Sequence, residues 1–230
     1  MTTDRKLAWI GLFLGLAGIL PLFKDAPIAA SLVLMLLAAV AGYLSFEEYR
    51  GTRTTITTLS VRKVLTVHDA AGKDATYRNE QKVRINFGPV SEIWFRNMVS
   101  DGCYSNITIN GNHPTGQEAM GCLISYSKRF NPPLFRGQVK EVALECTVTD
   151  AFTAKDEGLS HEVTQNTRLL TLEVNLPRAR PCLNASLCLE AGGEPAKLLS
   201  PPEISEDRCQ IKTTVKAPKA GYCYNLQWNW

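Results

Sequence analysis

The chain has 230 residues, 45% of them hydrophobic, with 25 lysines and arginines against 22 acidic residues and a formal charge of +3. That length allows one full domain, or one domain and an anchor. Charge is nearly balanced after residue 46, at 22 basic against 20 acidic residues, which gives no electrostatic case for wrapping a polynucleotide.

The apolar residues are concentrated at the start. Residues 7–23, LAWIGLFLGLAGILPLF, and 28–46, IAASLVLMLLAAVAGYLSF, carry no charge. A bilayer core of about 30 Å needs roughly 17–25 helical residues. The spacing therefore predicts two transmembrane helices, a membrane anchor over residues 1–46, joined by the turn KDAP with Pro27 opening the second helix. A cleaved signal peptide competes for the first run. It is disfavoured by the missing small-x-small cleavage site and by the second run directly behind. Gly11, Gly15 and Gly18 give the first run a small face, and Ala38 and Gly42 give the second a small-xxx-small pair. Small residues let backbones approach in lipid, so these five are candidates for transmembrane association, within the hairpin or between copies. Arg5 and Lys6 precede the spans, Arg50, Arg53, Arg62 and Lys63 follow them, and the turn holds only Lys24. The positive-inside tendency then places both termini in the cytoplasm.

Residues 47–60, EEYRGTRTTITTLS, read as a polar juxtamembrane linker. Beyond it the apolar period changes to two, the mark of half-buried strands. Clear alternation runs over Val142–Val148, Leu170–Leu176, Leu183–Leu189 and Cys209–Val215, with weaker candidates at Val61–Val67, Val83–Phe87, Ile93–Phe95 and Leu123–Tyr126. DAAGKD at 69–74, NGNHP at 110–114 and PRARP at 177–181 supply turn chemistry. APKAG, 217–221, is expected to close a hairpin onto the last strand, GYCYNLQWNW, whose Tyr222, Tyr224, Leu226, Trp228 and Trp230 alternate with polar residues. An aromatic last strand is also how outer-membrane barrels finish; the two apolar runs argue against that. About nine short strands without an amphipathic helix make 61–230 an all-β domain, an immunoglobulin-like sandwich first and a small β-barrel second.

Nothing in the sequence asks for catalysis. His68, His113 and His161 have no partner at a metal-ligand spacing, and no hydrolase elbow, P-loop or dinucleotide fingerprint is present. The carboxylates of DAFTAKDEGLSHE, Asp150, Asp156, Glu157 and Glu162, read as a solvated loop rather than an acid–base pair. Seven cysteines without a CxxC pair read as small core residues of a reducing compartment. The sequons at Asn106 and Asn184 would matter only in an inverted topology. No enzyme, metal or cofactor is expected. The best ligand-binding cluster is ISYSKRFNPPLFRG, 124–137, where Tyr126 stands with Lys128, Arg129 and Arg136. Aromatic faces stack on bases while cations neutralise phosphate, so this mixture suits a nucleotide. A strand leading into a proline turn, with its charges solvated, is the plainer account of the same residues. Arg178 and Arg180 form a weaker basic pair.

Two N-terminal spans followed by a strand series after residue 60 resemble the two-transmembrane, β-strand-rich effectors of bacterial cyclic-oligonucleotide antiphage systems. The resemblance implies a multi-pass protein of the bacterial inner membrane whose β domain senses a cyclic nucleotide and controls homo-oligomerisation through the spans, in antiviral defence. The alternative expectation is a membrane-tethered β-sandwich adaptor that binds a protein partner.

Overall fold

The computed structural model describes residues 55–98, 101–121, 123–191 and 196–230. Residues from Thr54 to the C-terminus form one compact unit. The described residues fold as fourteen strands, numbered in chain order, in three sheets.

The largest sheet has seven strands in the order β12 (Glu203–Ile204), β13 (Gln210–Lys216), β9 (Leu169–Asn175), β1 (Ile56–Val67), β2 (Asp74–Ile85), β7 (Val139–Thr149) and β4 (Cys103–Ile109). Its centre is a parallel pair, β1 with β9; the other neighbours run antiparallel. A parallel pair needs a long crossover, and everything between β2 and β8 is placed in that excursion. A second sheet has the order β11 (Lys197–Leu198), β10 (Asn184–Glu190), β14 (Cys223–Asn229) and β8 (Asp156–Glu162). A third holds β3 (Val90–Met98), β6 (Leu123–Leu134) and β5 (Gly116–Met120).

Alternation sorts the large sheet into two faces. On the outer face Arg62 pairs with Glu173 at 2.9 Å and Glu80 at 3.4 Å, and Arg78 pairs with Glu80 at 2.9 Å. The inner face carries Leu65, Val67, Ala75, Leu144, Val148, Leu172 and Val174, all buried. These join Phe95 of β3 and Leu226 of β14 in one hydrophobic core that draws on all three sheets. The β1–β2 connection is pinned by Gly72: its φ is +71°, and a Cβ there would fall 1.5 Å from the carbonyl oxygen of Phe152. No other residue type fits that turn.

This architecture corrects the expected fold class. The described residues contain strands and no helix, so no helix among them is long and apolar enough to cross a membrane. The expected fold, a two-helix transmembrane hairpin on an all-β domain, is replaced by an all-β one. Segments 7–23 and 28–46, with Gly11, Gly15, Gly18, Ala38 and Gly42, lie outside the described residues. The β part is neither an immunoglobulin-like sandwich nor a barrel, because three open sheets surround the core and the largest is mixed. β1 begins at Ile56, inside the segment read as a linker.

Two further readings change. The last strand does not form a hairpin with its predecessor: β13 pairs with β9, whereas β14 lies between β10 and β8 in another sheet. The carboxylate-bearing segment read as a loop is largely strand β8, whose Leu159 is its one fully inward apolar residue.

Candidate functional site

The registers expose an anomaly on the inner face. One cross-strand row reads Thr213, Leu172, Lys63, Asn79, Leu144, Ile109; the row beside it reads Val215, Leu170, Val61, Gln81, Val142. Lys63, Asn79 and Gln81 thus occupy core-facing positions that their neighbours fill with aliphatic side chains. Asn79 is 4% exposed and Gln81 9%. Burying such groups costs stability unless each finds a partner.

Their partners are incomplete. The Lys63 ammonium donates to the backbone carbonyl of Ser160 on β8, at 2.7 Å, and lies 5.9 Å from the centre of the Tyr77 ring. The Asn79 carbonyl oxygen is buried without a partner among the described residues. Desolvation lowers the Lys63 pKa from 10.5 to about 8, partly countered by Cys223. The same desolvation, with Lys63 alongside, lowers His161 to about 3, so this imidazole is neutral at physiological pH. Burial raises the Cys223 thiol, and Glu190 adds to that.

These groups floor a cleft between the smaller sheets. One cavity of about 400 Å³ is bordered by Lys63, Asn79, Gln81, His161 of β8 and Trp94 of β3. A second, of about 630 Å³, shares Lys63 and Ser160 with it and extends over Tyr77 and Trp228 to the amide row Asn225, Gln227 and Asn229. The volumes match those of small-molecule sites. β14 supplies this wall through its alternation. Tyr224, Leu226 and Trp228 enter the core, and the intervening amides meet the cavity. The strand is anchored at its end. Arg180 donates to the carbonyl of Ala154 at 2.8 Å, and its guanidinium lies 3.8 Å from the centre of the Trp230 ring. Trp230 donates to that same carbonyl at 2.9 Å. Arg180 of the PRARP pair therefore serves the fold, while Arg178 is exposed.

The sequence-selected cluster is arranged differently. Tyr126 is buried at 4% exposure opposite Phe95, and burial raises its phenol pKa. It borders a cavity of about 430 Å³ with His113 and Gln117, which Lys128, Arg129 and Arg136 do not border. Lys128 sits two residues along β6, opposite Ile93. Arg129 is exposed, its backbone N–H donating to the Thr115 hydroxyl at 2.6 Å. Arg136 lies past the end of β6, with its guanidinium 5.9 Å from the Phe87 ring centre. None of Lys63, Asn79, Gln81 and His161 was selected from the sequence as a ligand-site residue. The detectable signal was a lysine interrupting the alternation Val61, Leu65, Val67. Among the described residues no group of three His, Cys, Asp or Glu side chains is set to hold a metal ion.

No protein-family model matches the chain, and no curated protein matches it. Solved structures resemble it at low identity. An M1 zinc metallopeptidase from Deinococcus radiodurans aligns at 12% identity and a TM-score of 0.45, covering 75% of this chain and 42% of that one. A putative protease from Parabacteroides distasonis aligns at 11% identity and 0.45, covering 76% and 40%. Yeast LTA4 hydrolase in complex with bestatin aligns at 11% and 0.45, covering 81% and 32%. The chain spans less than half the length of each.

Proposed function

We propose that the chain is a membrane-associated binding protein whose β domain takes a small ligand in the cleft floored by Lys63, Asn79 and Gln81. The observation that carries this reading is the polar interruption of an otherwise aliphatic inner face, placed where it borders the cavities beneath the two smaller sheets. A core built for stability alone would hold leucine or valine at these positions. Local rules of this kind are broken chiefly at functional sites. Attachment to a membrane is supported by the uncharged segments 7–23 and 28–46. A cyclic nucleotide, the ligand implied by the resemblance to antiphage effectors, belongs among the compounds to be tried.

The test is a melting curve recorded on the membrane fraction of expressing cells, against a panel of metabolites that includes cyclic dinucleotides. The chain is expected in that fraction, and at least one compound should raise its melting midpoint. The shift should disappear in a Lys63→Met, Asn79→Leu double variant that melts cooperatively. A chain found only in the soluble fraction rejects membrane association. A shift that survives the double variant rejects the cleft.

A further inference from the structure

The larger cavity carries more chemical information than its volume. Its wall presents four carboxamides, Asn184 of β10 with Asn225, Gln227 and Asn229 of β14. Adjacent strands place Asn184 opposite Asn229, and Ser186 opposite Gln227, so the amides and hydroxyls form short cross-strand rows. Each carboxamide both donates and accepts. A hydroxyl does the same, whereas a phosphate oxygen only accepts.

The charge on the wall points the same way. Asp101, Asp156 and Glu157 border the cavity; among the described residues Lys63 is the one cation lining it, with Arg180 acting on Glu157 from nearby. Three carboxylates against Lys63 and the nearby Arg180 leave the lining net negative in a partly enclosed site, which opposes a phosphodiester or a nucleotide. The ammonium is also already engaged by the Ser160 carbonyl at 2.7 Å.

Aromatic rings supply the remaining surface. Phe152 and Trp228 stack with centroids 6.4 Å apart and planes 29° from parallel, and both border the cavity with Tyr77 and Tyr104. Rings of this kind pack against an apolar C–H face while polar tips bond its substituents. Trp228 is 2% exposed, and its indole N–H has no acceptor among the described residues; the neighbouring Asn229 Oδ1, also buried, has no donor. Consecutive strand residues point to opposite faces, so these are two separate unmet groups on β14, and leaving each unpaired is costly.

We infer that the larger cavity binds a neutral polyhydroxylated molecule, a sugar or cyclic polyol, through the amide row of β14 and β10 and the aromatic wall around Trp228. The inference rests on the proposal that the cleft is a ligand site, and it names the class of ligand.

The experiment is a titration of the full chain, solubilised in detergent, followed by the indole N–H resonance of Trp228, assigned through Trp228→Phe. The probes are N-acetylglucosamine, maltose, myo-inositol, spermidine and a cyclic dinucleotide. At least one of the three neutral probes should move the resonance saturably. Gln227→Ala and Asn184→Ala, both at exposed positions and therefore compatible with folding, should each weaken that affinity about fivefold, the loss of roughly one hydrogen bond. A saturable response to spermidine or to the dinucleotide alone overturns the polyol assignment and leaves the cleft standing as a ligand site. Silence from all five probes overturns both. A neutral probe that binds with the same affinity to both alanine variants overturns the assignment to this wall.

Discussion

Lys63 is where the chemistry of the domain is most concentrated. Its ammonium is desolvated between β1 and β8 and has one hydrogen-bond acceptor there, the Ser160 carbonyl. A lysine whose pKa falls from 10.5 to about 8 on folding binds fewer protons folded than unfolded between those two values. Stability drawn from this group is therefore absent below about pH 8 and grows as the pH climbs from about 8 to 10.5. Lys63→Met removes that dependence and relieves the desolvation. In urea denaturation the variant should be at least as stable as the parent at pH 7, and its advantage should shrink between pH 8 and pH 10. An advantage that stays constant across this range would mean that the ammonium is not desolvated. His161 follows the same proton count at lower pH. Held near 3 against an ordinary 6.5, it stays neutral in the folded chain, and stability falls as the pH drops from 6.5 towards 3.

Strand β14 decides the second sheet. It pairs with β10 over Cys223–Glu190 to Asn229–Asn184 and with β8 over Cys223–Glu162 to Asn229–Asp156, so without it β8 is left unpaired and β10 keeps only the two-residue β11. Its alternation divides the labour between core and cavity. Leu226→Ala, at a fully buried position, should cost about 2–5 kcal/mol in chemical denaturation. Gln227→Ala, one residue along and exposed, should change stability by less than about 0.5 kcal/mol. Similar losses at both positions would contradict the division. Much of this strand was legible in the sequence, because aromatic residues at every second position require a buried face. Its pairing was not. APKAG has the composition of a hairpin loop, yet the core takes β13 beside β9 and sends the chain on to another sheet. β2 was half legible for a related reason. Asn79 and Gln81 lie inward, so the alternation fades over its middle, where the candidate site is. β8 carries a single inward leucine, and its carboxylates gave it the composition of a loop.

At the scale of the molecule, the described residues form one domain with a large mixed sheet as floor and two smaller sheets over it. Both elements of the β1–β9 parallel pair contribute to that floor, so the site cannot be inferred from neighbours in sequence. Lys63, Asn79, Ser160 and Gln227 come from four strands spread over the chain and meet only through the topology. Local patterning identified an all-β domain and most of its clear strands. The polar residues that matter to the site were the ones that weakened the patterning. The central claim is that the gap between β3 and β8, above Lys63, is occupied by a ligand. The most direct measurement is amide hydrogen exchange of the full chain, with and without a compound that raises its melting midpoint. The account predicts that binding slows exchange in Gly158–Glu162 of β8 and in Glu92–Arg96 of β3, the two edges of the cleft. Slowing confined to strands away from it, with both edges unchanged, would contradict the account.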